Sequence, residues 1–189
     1  SDAAARPDAI DPRLAKVTAA HFIVDCYSNA YAPLVPLLIP RLGLSLVVVG
    51  TLAMVFQMSA SVSQLAFGRL ADGWRPHWLL VGGPFVSVVV MSCIGLAPGT
   101  WWLAALLIVG GLGGAAFHPP GAMAAYRFGG RRTGLALSLF VGGGSVGFAV
   151  APLIFSSVVA WGGLQATWLL MIPGLVIAAW VVRDMPVLT

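Results

Sequence analysis

Long apolar runs separated by short turn sequences make up most of this chain. Six of the runs contain about 20 residues or more, enough for an α-helix to cross a hydrocarbon core of ~30 Å. They cover residues 14–39, 46–70, 78–97, 101–128, 135–159 and 164–182. The pattern predicts an all-α integral membrane protein with six transmembrane helices.

The composition supports this prediction and excludes a soluble enzyme. Of the 189 residues, 59% are hydrophobic and only 8% are charged, whereas charged residues make up about 25% of a globular domain. A chain with so few charges cannot cover a surface that faces water, so its apolar surface must face lipid. The chain also contains no HExxH motif, and we expect that it is not an enzyme.

The sequence predicts no cofactor, no metal centre and no nucleic-acid partner. Cys26 and Cys93 lie inside apolar runs and are expected to be buried as small hydrophobic residues. One aspartate and two histidines within the spans are too few ligands for a metal site. The net charge of +4 does not indicate nucleic acid, because the positive charges collect on one side of the predicted membrane.

The distribution of Lys and Arg predicts the orientation of the spans. Arg41 lies in the first loop, and the other basic residues all flank the opposite side of the membrane. These are Arg6, Arg13, Lys16, Arg69, Arg75, Arg127, Arg131, Arg132 and Arg183. Because basic residues in short loops stay in the cytoplasm, both termini are predicted to be cytoplasmic, in an inner membrane of bacterial type.

The same pattern divides the chain into three parts. Residues 1–13 are polar and are predicted to be a flexible cytoplasmic tail, residues 14–183 a six-helix membrane domain, and residues 184–189 a C-terminal tail or the start of a linker. The chain does not begin with Met, so we expect its numbering to start inside a longer or processed product.

The second loop carries a recognisable motif. Its sequence is GRLADGWRPH, in which Gly68, Arg69, Asp72 and Arg75 stand out. It resembles the cytoplasmic signature of the major facilitator superfamily, in which glycine, any residue, leucine, alanine and aspartate precede a basic stretch. Arg75 replaces the second glycine of that signature. The motif predicts a tight turn between antiparallel helices, with a carboxylate that caps a helix or pairs with arginine.

Two longer stretches extend the resemblance. Residues 21–45 and 111–132 are similar to the fosmidomycin-resistance branch of the superfamily, and residues 142–152 resemble the glycine–proline motif on the fifth helix of its antiporters. One position departs from the pattern, because many exporters of the superfamily have an arginine on helix four where this chain has Ile108. A mechanism that uses that arginine is therefore not available here.

The resemblance implies that the chain is one half of a twelve-helix transporter, built from two inverted three-helix repeats. The implied activity is proton-coupled export of a small organic molecule. A second six-helix half is then needed, supplied by a C-terminal part of the same polypeptide, a second copy or a separate chain. Spans one and four, which prolines and glycines interrupt, are expected to be equivalent and to mark the substrate site.

The spans contain few ionisable residues, and these are candidates for function. Asp25 shares one helix stripe with His21 and Asn29, which lie four residues before and after it. Asp25 and His118 each lie nine residues from a basic residue at the cytoplasmic edge, a depth of about 14 Å. We therefore expect them to face each other near the middle of the membrane.

Two interpretations of these residues remain open. In the functional one, Asp25 binds and releases the coupling proton near neutral pH, His21 or His118 modulates it, and Asn29 and Gln57 line the cavity. In the structural one, Asp25 and a histidine form a fixed pair that holds helices together. His118 is also a candidate to satisfy a backbone group that the prolines after it leave free.

Small residues are predicted to bring helices close together. Gly110 with Gly114 and Gly143 with Gly147 have the spacing of close helix contacts, and Pro152 follows on the same helix. An alternative to transport is a membrane scaffold or assembly subunit that docks onto a larger complex, because a fold alone does not determine a function.

Overall fold

A computed structural model of the chain describes residues 9–73 and 76–183. These residues form α-helices joined by short turns and by 3₁₀ segments at Ile94–Leu96 and Leu164–Leu170. The helices are α1 Arg13–Ser28, α2 Tyr31–Leu42, α3 Leu46–Gly73, α4 Pro76–Ser92, α5 Thr100–Phe128, α6 Thr133–Gly162 and α7 Met171–Val182. Arg75 and the two predicted tails, except residues 9–13, lie outside the described residues.

The six predicted membrane spans are confirmed. Six helical stretches in the described residues are long and apolar enough to cross a membrane. They are Arg13–Leu42, Leu46–Gly73, Pro76–Leu96, Thr100–Phe128, Thr133–Gly162 and Leu164–Val182. Each end lies within three residues of the prediction, because the limits of an apolar run and its flanking turn residues determine where a membrane helix begins and ends.

The predicted interruption is present in span one and absent from span four. Span one breaks between α1 and α2 at Asn29 and Ala30, and Pro33 then falls in the first turn of α2, where an N–H has no helical acceptor. The expectation for span four is wrong, because α5 continues as an α-helix through Pro119 and Pro120. An interrupted helix leaves backbone polar groups that lipid cannot satisfy, which favours the continuous helix in span four.

The glycines of α5 serve for close packing. A methyl group added at Gly113 would lie 2.8 Å from Ser87 of α4, and one at Gly111 would overlap Ser59 of α3. Gly110 lies against Met91 of α4, and Gly114 faces α1. Glycines on several sides of α5 therefore let neighbouring helices approach its backbone, which places α5 at the centre of the bundle.

The same kind of contact joins α1 to α6. A methyl group at Gly143 would overlap Thr18, and one at Gly147 would overlap the carbonyl group of Phe22. The residue numbers rise together along the contact, from Thr18 with Gly143 to Phe22 with Gly147, so α1 and α6 run in the same direction. This is the arrangement expected for the first and fifth of six alternating spans.

A hydrogen bond in this contact compensates for a proline. Pro152 has no N–H to donate to the carbonyl group of Phe148, which lies four residues before it in α6. The side-chain amide of Asn29 donates to that oxygen over 2.9 Å. Asn29 therefore satisfies a backbone group that would otherwise lack a partner in an apolar environment.

Further contacts tie the ends of the spans together. Asp11 accepts hydrogen bonds of 2.9 Å from Arg13, and its backbone N–H donates to the carbonyl group of Phe128 at the end of α5. The hydrogen-bonded guanidinium group lowers the pKa of the Asp11 carboxyl group. On the other side, Arg41 donates to the carbonyl group of Gly95 and connects the first loop to the third.

The spans differ in how much of their surface the bundle covers. In spans one, three and four, 44–50% of the most apolar window is buried, against 11% in span two and 22% in span five. The helices α3 and α6 therefore turn most of their surface outward, away from the other spans.

We expect Asn29→Ala to lower the free energy of unfolding by about 1 kcal/mol, because the Phe148 carbonyl group loses its donor. In a Pro152→Ala background the helix itself supplies an N–H to this carbonyl group, so the same substitution should have almost no effect. Reversible denaturation in detergent of the wild type, both single variants and the double variant measures the coupling. Equal losses in the two backgrounds would contradict this role of Asn29.

Candidate functional site

Three ionisable side chains from two helices meet in the interior of the bundle. His21 and Asp25 lie one turn apart on α1, and the imidazole Nε2 of His21 is 3.2 Å from the carboxylate Oδ2 of Asp25. His118 reaches the same carboxylate from α5, with its Nε2 3.6 Å from Oδ1. The two histidine rings meet edge to face with centroids 5.1 Å apart. The structure thus brings together the residues that the sequence placed at one depth.

The orientation of the His21 ring is determined by the backbone of α6. Its Nδ1 lies 2.8 Å from the carbonyl oxygen of Phe140, and because a carbonyl oxygen only accepts, this nitrogen must carry a hydrogen. The ring also stacks on the Phe140 side chain at a centroid distance of 4.1 Å. In a neutral His21 ring, Nε2 therefore presents a lone pair to the Asp25 carboxylate.

Two lone pairs at this distance repel each other, so the pair requires a positive charge or a proton between them. Protonation of His21 or of the Asp25 carboxyl group converts the contact into a hydrogen bond. The His21 side chain is only 9% exposed and that of Asp25 is 21% exposed, so water screens the interaction weakly. The arrangement is suited to holding one proton between these two side chains of α1, with the His21 ring fixed by α6.

Gly144 of α6 provides the space for this pair, and the sequence analysis missed it. A methyl group there would overlap the Asp25 carboxylate and lie 2.7 Å from His21 Nε2. The spacing of small residues in the sequence pointed to Gly143 and Gly147 but not to Gly144. A signal was present, because Phe140, Gly144, Gly147 and Ala151 recur at intervals of three or four residues on the buried side of α6.

An open cavity of about 690 Å³ adjoins the site on the side of His118. It is lined by Gln64, Leu65, Gly68 and Arg69 of α3, by His118, Pro119 and Ala122 of α5, and by Phe140 of α6. Gln57 lies on the exposed surface of α3 and is not among these residues. The cavity therefore connects the ionisable cluster with the loop that carries the sequence motif.

The described part of the loop motif lies at the end of α3, next to α5. Asp72 is exposed near the end of α3, and together with Gly68 and Arg127 it lines a second pocket of about 290 Å³. Arg69 borders the larger cavity. Arg75 is outside the described residues, so its contacts are not part of this site.

Comparison with known proteins agrees with this architecture. Residues 17–188 match the family model of the major facilitator superfamily. The chain belongs to the major facilitator superfamily. Members of the superfamily are transporters and not enzymes, which agrees with the expectation from the sequence. Six apolar spans and this family make the chain a multi-pass membrane protein with the fold of one superfamily half.

Two curated relatives are similar over most of the chain. The "Uncharacterized MFS-type transporter YfnC" of Bacillus subtilis (strain 168) is 31% identical over 170 residues, which are 88% of this chain and 41% of that protein. The "Fosmidomycin resistance protein" of Escherichia coli (strain K12) is 29% identical over 161 residues, 84% of this chain and 39% of that protein. The chain spans about two fifths of the length of these superfamily relatives.

We expect Gly144→Ala to destabilise the protein by about 1–3 kcal/mol, because the added methyl group must displace Asp25 or His21. Gly142→Ala is the matched control, since nothing lies within 4 Å of a methyl group at that position. Denaturation in detergent compares the two variants with the wild type. Equal stabilities of the two variants would show that α6 does not approach Asp25 as closely as described.

Proposed function

We propose that this protein is one six-helix half of a proton-coupled exporter of a small organic molecule, and that Asp25 carries the coupling proton. One observation supports this above all, namely the 3.2 Å contact between Asp25 and a His21 ring whose Nδ1 is already engaged. The contact is stable only with a proton present, and loss of that proton makes it repulsive. Protonation therefore changes a contact within α1, and it also changes the charge that Asp25 presents to His118 of α5.

The surroundings of Asp25 support proton exchange. Asp25 lies in the interior of its span, whereas Asp72 lies at the end of α3, and ionisable residues in the interior of spans commonly mark ion pathways. His118 contacts Asp25 and also lines the open cavity. We infer that His118 passes protons between the carboxylate and water in this cavity, and that Arg69 lies where the cavity approaches the cytoplasm.

The outward helices support the presence of a second half. Alternating access requires two six-helix units that move about a central site, and α3 and α6 leave most of their surface uncovered within this chain. Gln57 and Ser61 are exposed on α3, and polar side chains are unfavourable against lipid. We propose that these faces of α3 and α6 meet the second half, with Asp72 contributing at the cytoplasmic ends.

The relatives suggest a first compound to test. The name of the Escherichia coli relative states resistance to fosmidomycin, and export is one route to resistance. We propose fosmidomycin as the test substrate, with both termini in the cytoplasm as the Lys and Arg distribution predicts.

Asp25→Asn should reduce proton-coupled transport at least 10-fold, because an amide at this position cannot take up and release a proton. Inverted membrane vesicles from cells that make the protein allow fosmidomycin uptake to be followed under an imposed proton gradient. Asp11→Asn is the matched control, since Asp11 lies outside the spans, and it should leave transport unchanged. Uptake at the wild-type rate by the Asp25→Asn variant would refute the proposed role.

The native mass of the detergent-solubilised assembly tests the second half. We expect two six-helix units, whether they come from one longer polypeptide, two copies or two different chains. A single 19.6 kDa chain surrounded only by lipid would contradict a transporter. A stable complex with a membrane protein of another fold would favour the scaffold alternative instead.

A further inference from the structure

The ionisable cluster has the composition and geometry of a metal site, in addition to its proposed use for a proton. His21, Asp25 and His118 each offer one ligand atom, and these atoms all lie within 4.8 Å of one another. We propose that these three residues bind a divalent transition-metal ion of the Zn²⁺ class, with water as the fourth ligand. The sequence predicted no metal site because one aspartate and two histidines are few ligands, but the fold brings all three together.

Two distances in the cluster are close to those that zinc requires, although its ligand atoms are spread over as much as 4.8 Å. Zinc bonds to histidine nitrogen and carboxylate oxygen are about 2.0–2.2 Å, so neighbouring ligands of a tetrahedral ion are about 3.3–3.5 Å apart. The Asp25 carboxylate lies 3.2 Å from Nε2 of His21 and 3.6 Å from Nε2 of His118. Small rotations of the His118 ring and the carboxylate would bring all three ligands to one ion.

The hydrogen bond of His21 matches the usual support of a metal ligand. A metal-bound histidine commonly donates its second ring N–H to a carbonyl or carboxylate oxygen, which fixes the tautomer and the direction of the free lone pair. His21 Nδ1 donates to the Phe140 carbonyl group in this way. Its Nε2 lone pair is thereby directed at the Asp25 carboxylate before any ion arrives.

Access and ligand type indicate which ions fit. His118 borders the open cavity of about 690 Å³, so a hydrated ion reaches the cluster without any opening of the bundle, and the fourth position faces water. Two imidazole nitrogens and one carboxylate favour Zn²⁺, Co²⁺ or Ni²⁺ over Mg²⁺ or Ca²⁺, which prefer ligand sets made of oxygen. Three protein ligands and one water are a common arrangement for zinc.

This inference does not depend on the proposed transport activity. It depends on the positions of three ligand atoms and on the hydrogen bond that orients His21. Metal binding, and not transport, is the quantity that tests it. An ion at this position occupies the atoms that the proposed proton would use. Zn²⁺ should therefore inhibit transport if both proposals hold, while either proposal can fail without the other.

The experiment is a titration of the purified full chain, made without a polyhistidine tag, with Co²⁺ as a spectroscopic substitute for Zn²⁺. We expect one Co²⁺ per chain, visible absorption bands typical of four-coordinate Co²⁺, and displacement of the ion by Zn²⁺. His118→Ala and Asp25→Asn should each weaken binding at least 10-fold. His77→Ala and Cys26→Ser are matched controls that remove potential ligands outside the cluster, and both should bind as the wild type does.

His21→Ala removes a ligand, but it also removes the contact with Phe140 that holds α1 against α6. If that variant does not fold, His118→Ala is the decisive variant, because the His118 side chain is 26% exposed. Each variant is compared only if its elution profile and unfolding temperature without metal match those of the wild type. Absence of stoichiometric Co²⁺ binding would overturn the proposal. Binding that persists in His118→Ala and Asp25→Asn, or is lost in a control variant, would also overturn it. The transport measurement on Asp25→Asn tests the proposed proton role whether or not the protein binds metal.

Discussion

Lipid offers no hydrogen-bond partner, so each polar group within the spans must find one in a neighbouring helix. Asn29 meets this requirement for a carbonyl group of α6 that a proline leaves free, and His21 binds another carbonyl group one turn from the site. Both bonds need α1 and α6 to lie in close contact, which the glycines of α6 allow. The position of Asp25 follows from the same contact, because the helix that holds His21 in place also borders the carboxylate.

Much of this arrangement could be predicted from the sequence. Apolar run lengths were enough to place the spans, and equal distances from basic residues placed Asp25 and His118 at one depth. The role of Gly144 could not be predicted in this way, because it depends on which side of α6 faces α1. The sequence indicated that span one is interrupted but did not locate the break at Asn29, and α5 remains helical despite two prolines.

Helices that are buried in the bundle and helices that face outward carry different kinds of residues. In α5, glycines face several neighbours, so most of its middle is buried within this chain. In α3, polar residues such as Gln57 face outward together with large apolar ones. A stripe of mixed character suits neither pure lipid nor a packed core. It suits a surface that meets protein in some places and water in others, as the boundary of a transport cavity must.

The two side-chain bonds from α1 to α6 have a mechanical consequence. His21 pairs with Phe140 and Asn29 with Phe148, eight residues further along each helix. A shift of one helix along the other by a single residue would leave both donors without their acceptors. A tilt would distort at least one of the two hydrogen bonds. The two helices are therefore expected to move as one unit, and any rearrangement that changes the surroundings of Asp25 must move both of them.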